Sequence, residues 1–251
     1  MSLLSLKNLA IKADKKQIIS RLNLEIQPGE IHIIMGPNGS GKSTLCNALM
    51  GHPHYQITSG SAQFADKNLL TLKTNQRATA GLFLAFQYPR EIPGVSLSNV
   101  LRTAKNIHNE AAKQPRLKRT EFAKQTKAAL TTMGLEANFL SRSLNENASG
   151  GEKKRLEMVQ LAILKPKLAI LDEIDSGVDI DALQAIAAAI EKQRATDNTA
   201  FLIVTHYQRL LGYLKPDRVH VMVDGQIVKS GSAELAQELE KTGYQGFKPA
   251  K

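Results

Sequence analysis

A single cysteine, Cys46, stands in 251 residues, and tryptophan is absent. One thiol excludes an internal disulfide and cannot build a four-thiolate cluster site; with no leader pattern it points to a reducing compartment. The opening Met1-Ser2-Leu3-Leu4-Ser5-Leu6-Lys7 lacks the basic-then-apolar shape of a signal peptide and alternates as a strand does. A cytoplasmic location is therefore expected. No apolar run approaches the roughly 18 residues of a membrane span, so no membrane insertion is expected. Internal repeats and low-complexity tracts are also missing. Cys46 itself reads as a small packed residue on a helix.

Charge of one sign is in excess, at +10. That balance is compatible with an anionic partner such as nucleic acid. Yet the densest run, Lys113-Gln114-Pro115-Arg116-Leu117-Lys118-Arg119, contains no aromatic residue on which a base could stack. It reads as a solvated helical face, and no nucleic-acid partner is expected.

What is present is a phosphate loop. Gly36-Pro37-Asn38-Gly39-Ser40-Gly41-Lys42-Ser43 fits G-x-x-x-x-G-K-[ST]. The apolar strand Ile31-His32-Ile33-Ile34-Met35 precedes it, and a helical run beginning Thr44-Leu45-Cys46 follows. Glycines let the backbone curl so that its N–H groups converge on phosphate oxygens, and the helix N-terminus adds partial positive charge. Lys42 would neutralise the β- and γ-phosphates, and the Ser43 hydroxyl would ligate Mg²⁺.

Around the loop, residues 3–11 and 17–27 read as strands, with Pro28-Gly29 turning the chain. Ser61–Phe64 and Leu82–Phe86 are further strand candidates. From Ser96 to about Phe139 the periodicity is helical, with a break near Gln114-Pro115. A helix around Glu152–Leu164, a strand Leu168–Leu171, a helix from about Asp179 to Arg194 and a strand Ala200–Val204 follow. This alternation argues for a mainly parallel sheet. Arg218–Val223 and Gln226–Lys229 flank Asp224-Gly225 as a closing hairpin.

A second chemical signal is Leu168-Ala169-Ile170-Leu171-Asp172-Glu173. A buried strand delivers two carboxylates at its C-terminal end, where open α/β sheets place ligands. Asp172 suits the Mg²⁺ shell, and Glu173 is the candidate base for an attacking water. The third signal is Ala148-Ser149-Gly150-Gly151-Glu152-Lys153-Lys154-Arg155, in which a hydroxyl, exposed N–H groups and a helix start form another anion site.

These three motifs, in this order, resemble those of ATP-binding-cassette ATPases. The resemblance implies an α/β P-loop fold with a mainly parallel sheet, an antiparallel β subdomain and a helical subdomain. It implies one domain, 1–251, with the catalytic core at about 1–90 and 160–251 and the helical part at about 91–159. It implies ATP and Mg²⁺ as cofactors, with Gly36 through Thr44 around the phosphates. Gln87 takes the place of the glutamine that senses Mg²⁺ and water, and His206 that of the switch histidine on the γ-phosphate. Asp179 stands in the loop that crosses between partner sites. Ser149 and Gly151 would act in trans, in a transient head-to-tail homodimer.

Two departures stand out. The usual Leu-Ser-Gly-Gly-Gln is Ala-Ser-Gly-Gly-Glu here, and no aromatic residue lies in Leu9–Lys16 to stack an adenine. ATP rather than GTP therefore rests on the resemblance alone. Other segments narrow the likeness: Phe86-Gln87-Tyr88-Pro89-Arg90-Glu91-Ile92-Pro93-Gly94-Val95, the Ser-Gly-Gly-Glu-Lys-Lys-Arg run, Asp172–Asp181 and Thr205–Arg209. They resemble the SufC family, ATPases of the SUF iron–sulfur cluster assembly machinery, with Val178 where Leu is more usual. That resemblance implies SufB-like and SufD-like scaffold partners, reshaped by hydrolysis. A transporter's nucleotide-binding subunit is the alternative, with the same chemistry and a different docked protein. A chromosome-structuring ATPase would need a long coiled-coil insertion that is absent.

Two side readings remain open at this level. Lys153 or Lys154 could pair with Glu173 and hold the base at rest, or both could be solvated or dock a partner. His52-Pro53-His54, lacking a nearby cysteine or carboxylate, reads as a loop and not as a metal site.

Overall fold

The computed structural model describes residues 2–205, 209–244 and 246–247. The chain begins with strands β1 (Leu4–Ala13), β2 (Lys16–Ile26) and β3 (Ile31–Met35), then helix α1 (Lys42–Met50). Next come β4 (Tyr55–Phe64), β5 (Lys67–Asn68), α2 (Thr74–Thr79), β6 (Leu82–Ala85) and β7 (Ile92–Ser96). Helices α3 (Leu97–Ala111) and α4 (Arg119–Thr132), strand β8 (Ser143–Leu144) and helix α5 (Gly150–Leu164) follow. The chain then passes through β9 (Leu168–Asp172), α6 (Ile180–Asp197), β10 (Ala200–Val204), β11 (Arg218–Val223), β12 (Gln226–Gly231) and α7 (Glu234–Thr242).

A six-stranded sheet runs β12-β11-β3-β10-β9-β6, with every pair parallel except β11·β12. Its central strands β3, β9 and β10 are buried along their whole length, as unbroken apolar runs require when both faces are covered. One face packs on α5 and α6 through Ile31, Ile33, Leu161, Ile186 and Ile190. The other packs on α1 and an antiparallel sheet β2-β1-β4-β5 through Ile34, Leu45, Leu49, Leu202 and Phe64. The second sheet alternates buried and exposed residues because its far face meets water. Buried Cys46 belongs to this second core, and burial raises its thiol pKa well above the usual range. Among the described residues, no helix is long and apolar enough to cross a membrane.

The structure corrects several sequence readings. The strand expected at Ser61–Phe64 starts six residues earlier, at Tyr55, because residues 55–60 pair with β1 although their own pattern is polar. Short elements β5, α2, β7 and β8 and the terminal α7 have no counterpart in the sequence reading. The basic run 113–119 lies mostly on the exposed connection between α3 and α4, not on a helical face, and Arg116 Nε donates to Glu110 Oε1 at 2.6 Å.

An unforeseen polar chain crosses the sheet. His32 Nδ1 and His220 Nε2 lie 3.0 Å apart, His32 Nε2 is 2.9 Å from Glu30, and His220 Nδ1 is 2.7 Å from Ser230 Oγ. Burial, then the neighbouring His32 and Arg218, lowers the His220 pKa to about 3. The fold therefore holds a neutral imidazole that the unfolded chain would protonate below about pH 6.5. The stability this contributes is complete above that pH and declines as pH falls toward 3, by at most about 1.4 kcal/mol per pH unit. Urea titrations from pH 7.5 to 5.0 should show a steeper stability loss for the natural chain than for His220→Gln; equal slopes would contradict the assignment.

Candidate functional site

The phosphate loop joins β3 to α1. Gly39 and Gly41 have φ of 80° and 105°, the left-handed region that glycine enters freely. Gly36 is required for space: a Cβ there would stand 2.0 Å from the backbone oxygen of Met222 on β11. Helix α1 starts at Lys42, so Lys42, Ser43 and Thr44 form its first turn. Its N-cap, Gly41, supplies no side-chain acceptor, leaving the anion-attracting end of the helix open to a ligand. Lys42 is buried and its Nζ donates to the carbonyls of Gly36 (2.9 Å) and Pro37 (3.0 Å). Burial lowers its pKa, opposed by Glu173 and Asp172.

The two carboxylates reach this loop from β9. Asp172, the last residue of the strand, is buried, and its Oδ1 accepts a hydrogen bond from Ser43 Oγ at 3.2 Å. Burial raises its pKa to about 6, with the Ser43 hydroxyl pulling the other way. Ser43 and Asp172 thus present hard oxygens side by side, a donor set that suits Mg²⁺. Among the described residues no group of three or more His, Cys, Asp or Glu could hold a metal. An ion here would complete its shell from phosphate oxygens and water, as Mg²⁺ prefers. His52 and His54 pack their rings near Tyr55, with centroids 5.5 and 5.0 Å from it.

Glu173 lies one residue beyond the strand with φ 51°, and its N–H donates to Val204 at 2.9 Å. A non-glycine residue in that conformation costs about 1–3 kcal/mol and persists only where its surroundings enforce it. Its Oε2 accepts from Gln87 Nε2 at 2.7 Å. Asn38, Gly39, the Gly41–Thr44 turn, Gln87 and Glu173 together line a cleft of about 760 Å³, whereas Gly36, Pro37, Ser40 and Asp172 lie behind this lining. Lys16, Ile18 and Tyr88 also line it. The sequence reading missed these three; only the adjacency of Tyr88 to Gln87 could have suggested one of them.

Ser149, Gly151 and Asp179 are not among the residues lining that cleft. Ser149 is the exposed N-cap of α5: its Oγ accepts from the Glu152 N–H at 3.3 Å, and Glu152 Oε2 accepts from the Ser149 N–H at 2.7 Å. This capping box accounts for the acid at position 152, since a carboxylate is favoured at a helix N-terminus. Its pKa is lowered, first by the Ser149 backbone N–H. Asp179 caps α6 in the same manner, its Oδ1 accepting from Ala182 N–H at 2.7 Å. A Cβ on Gly151 would lie 3.8 Å from the Gly177 oxygen, so the two loops are neighbours within one chain. His206 lies outside the described residues.

The pairing of Lys153 or Lys154 with Glu173 gives way to other contacts. Lys153 Nζ pairs with Glu91 at 2.8 Å, and Lys154 Nζ donates to the carbonyls of Phe86 and Gln87, both at 2.7 Å. Lys154 is buried, so the solvated alternative also fails for it.

Residues 19–176 match the family described as ABC transporter. The chain belongs to that family, and it is an ATPase that uses ATP with Mg²⁺. It is 51% identical over 243 residues to "Probable ATP-dependent transporter slr0075" of Synechocystis, covering 97% of this chain and 94% of that protein. It is 49% identical over 247 residues to "Vegetative protein 296" of Bacillus subtilis, covering 98% and 94%. These full-length matches support the SufC-type resemblance read from the motifs. In fold it matches the ATP binding subunit of an ABC transporter, with TM-score 0.78, 23% identity and coverage of 98% and 95%. It also matches a dimeric cassette in a post-hydrolysis state bound to ADP and Pi, with TM-score 0.76, 21% identity and coverage of 92% and 98%.

Proposed function

We propose that this chain is the ATPase of an iron–sulfur cluster assembly complex, hydrolysing ATP in the cytoplasm to reshape SufB-like and SufD-like scaffold proteins. In this reading Lys42 and the loop hold the phosphates, Ser43, Asp172 and Gln87 serve Mg²⁺, and Glu173 orients the water, with His206 on the γ-phosphate. Ser149, Gly151 and Asp179 serve the site of a second copy, in a transient head-to-tail dimer. Ser149 stands exposed at the start of α5, open to a second copy, and this supports that division.

The observation that carries the partner reading is the surface after β6. A groove of about 700 Å³ runs past Phe86, Tyr88, Arg90 and Ile92. Phe86, Tyr88, Ile92 and Val95 all leave large apolar area exposed there. Apolar area gathered this way marks a docking surface. The name of the Synechocystis relative, a probable ATP-dependent transporter, favours a second reading, a transporter subunit, whose membrane partner would sit on the same groove. Affinity capture of the chain from its native cell separates them. Scaffold proteins carrying cluster-ligating cysteines are the expected recovery; a membrane permease would overturn the reading.

A further inference from the structure

Beyond Ala85 the chain leaves the parallel sheet, so no ladder hydrogen bonds fix Phe86 and Gln87. Helix α5 fixes them instead. Lys154 Nζ donates to the carbonyls of Phe86 and Gln87, and the Phe86 N–H donates to Glu157 Oε1, all three at 2.7 Å. Lys154 and Glu157 are three residues apart, which places them on one face of the helix. Both are buried, at 4% and 3% exposure. Taking an ammonium and a carboxyl out of water costs several kcal/mol each unless bonds of this kind compensate. Leu or Met would fill this space without that cost, so the polar pair marks a demand made by the backbone it holds.

The same helix is capped by Ser149, and the segment it holds ends at the hydrogen bond from Gln87 Nε2 to Glu173 Oε2. One continuous path therefore joins the signature to the carboxylate: Ser149, the first two turns of α5, the Lys154–Glu157 pair, the backbone at Phe86–Gln87, and Glu173.

We propose that Lys154 and Glu157 are positioning residues for hydrolysis. They fasten Gln87 to the signature helix, so that any shift of that helix when Ser149 meets a nucleotide moves Gln87 relative to Glu173. This rests on the roles proposed above for Gln87 and Glu173. Neither residue lines the phosphate-loop cleft, so the pair acts only through Gln87.

The test is a double-mutant cycle in the full chain, reading kcat, KM and the affinity for a fluorescent ATP analogue. Lys154→Met should lower kcat by about tenfold or more while ATP affinity changes by less than about twofold, as misplacement of a reacting group does. In a Gln87→Ala background the same substitution should change kcat by less than about twofold, because the path is already cut. Lys154→Arg, which keeps the two donors, should recover most of the rate. Additive losses in the cycle, or a folded Lys154→Met with unchanged kcat, would overturn the proposal. Should Lys154→Met fail to fold, Glu157→Leu removes the single acceptor for Phe86 and enters the same cycle. Glu173→Gln separates the two levels. Its own near-natural rate would refute the role of Glu173, whereas an inactive Glu173→Gln beside an additive cycle would refute the clamp alone.

Discussion

Glu173→Gln should bind ATP as the natural chain does and lose turnover by a factor of about 10²–10⁴, the usual contribution of a positioned general base. The geometry sets this expectation. Glu173 stands one residue past the carboxylate that faces Ser43, at the C-terminal edge of the sheet, on the cleft that would receive the phosphates in the proposed reading. Its Oε2 already accepts a hydrogen bond from Gln87, and glutamine in its place can keep a polar contact there. What it cannot do is accept a proton from water. Affinity and rate should therefore part company. Rapid-quench measurement of kcat beside equilibrium binding of a fluorescent analogue reads both, and a kcat near the natural value would sink the assignment.

Lys42→Met should have the opposite profile. The Lys42 ammonium spans the loop on the carbonyls of Gly36 and Pro37, in a site that excludes much of the water. Moving onto phosphate oxygens exchanges those contacts for charge-assisted ones. Losing two such bonds, at about 1.5 kcal/mol each or more, weakens nucleotide binding at least about a hundredfold. Titration of nucleotide onto the folded variant checks this. Unchanged Kd would show that the loop backbone and helix end suffice alone. Asp172 adds a pH dependence to metal binding: with its carboxyl raised to about 6, its charge is fully available only above that pH.

Much of this site was legible in the sequence because its parts are contiguous or bounded by strong patterns. The loop Gly36–Ser43 carries its own strand and helix, and Asp172-Glu173 end a run whose burial follows from four apolar residues. Central strands β3, β9 and β10 were visible for the same reason. The N-terminal half of β4 was not, since its polar pattern is overridden by pairing with β1. The capping roles of Ser149 and Asp179 follow from local chemistry once the helix starts are known. Other features depend on contacts between residues far apart in the chain. Lys154 looks like one of several lysines until α5 is laid against the end of β6. The His32–His220 contact spans 188 positions and has no local signature. Tyr88 enters the cleft because the chain turns out of the sheet after Ala85.

The central claim is that the loop is half of an active site and that Ser149 of a second copy completes it. The mass of Glu173→Gln in solution, by light scattering with and without MgATP, tests this most directly. Blocked turnover should hold the closed state, so the 27.5 kDa chain should double its mass in MgATP and return to one copy when nucleotide is removed. Adding Ser149→Arg to the same chain should abolish the doubling while leaving nucleotide binding intact. A Glu173→Gln chain that stays single at saturating MgATP, or doubles regardless of Ser149, would contradict the account.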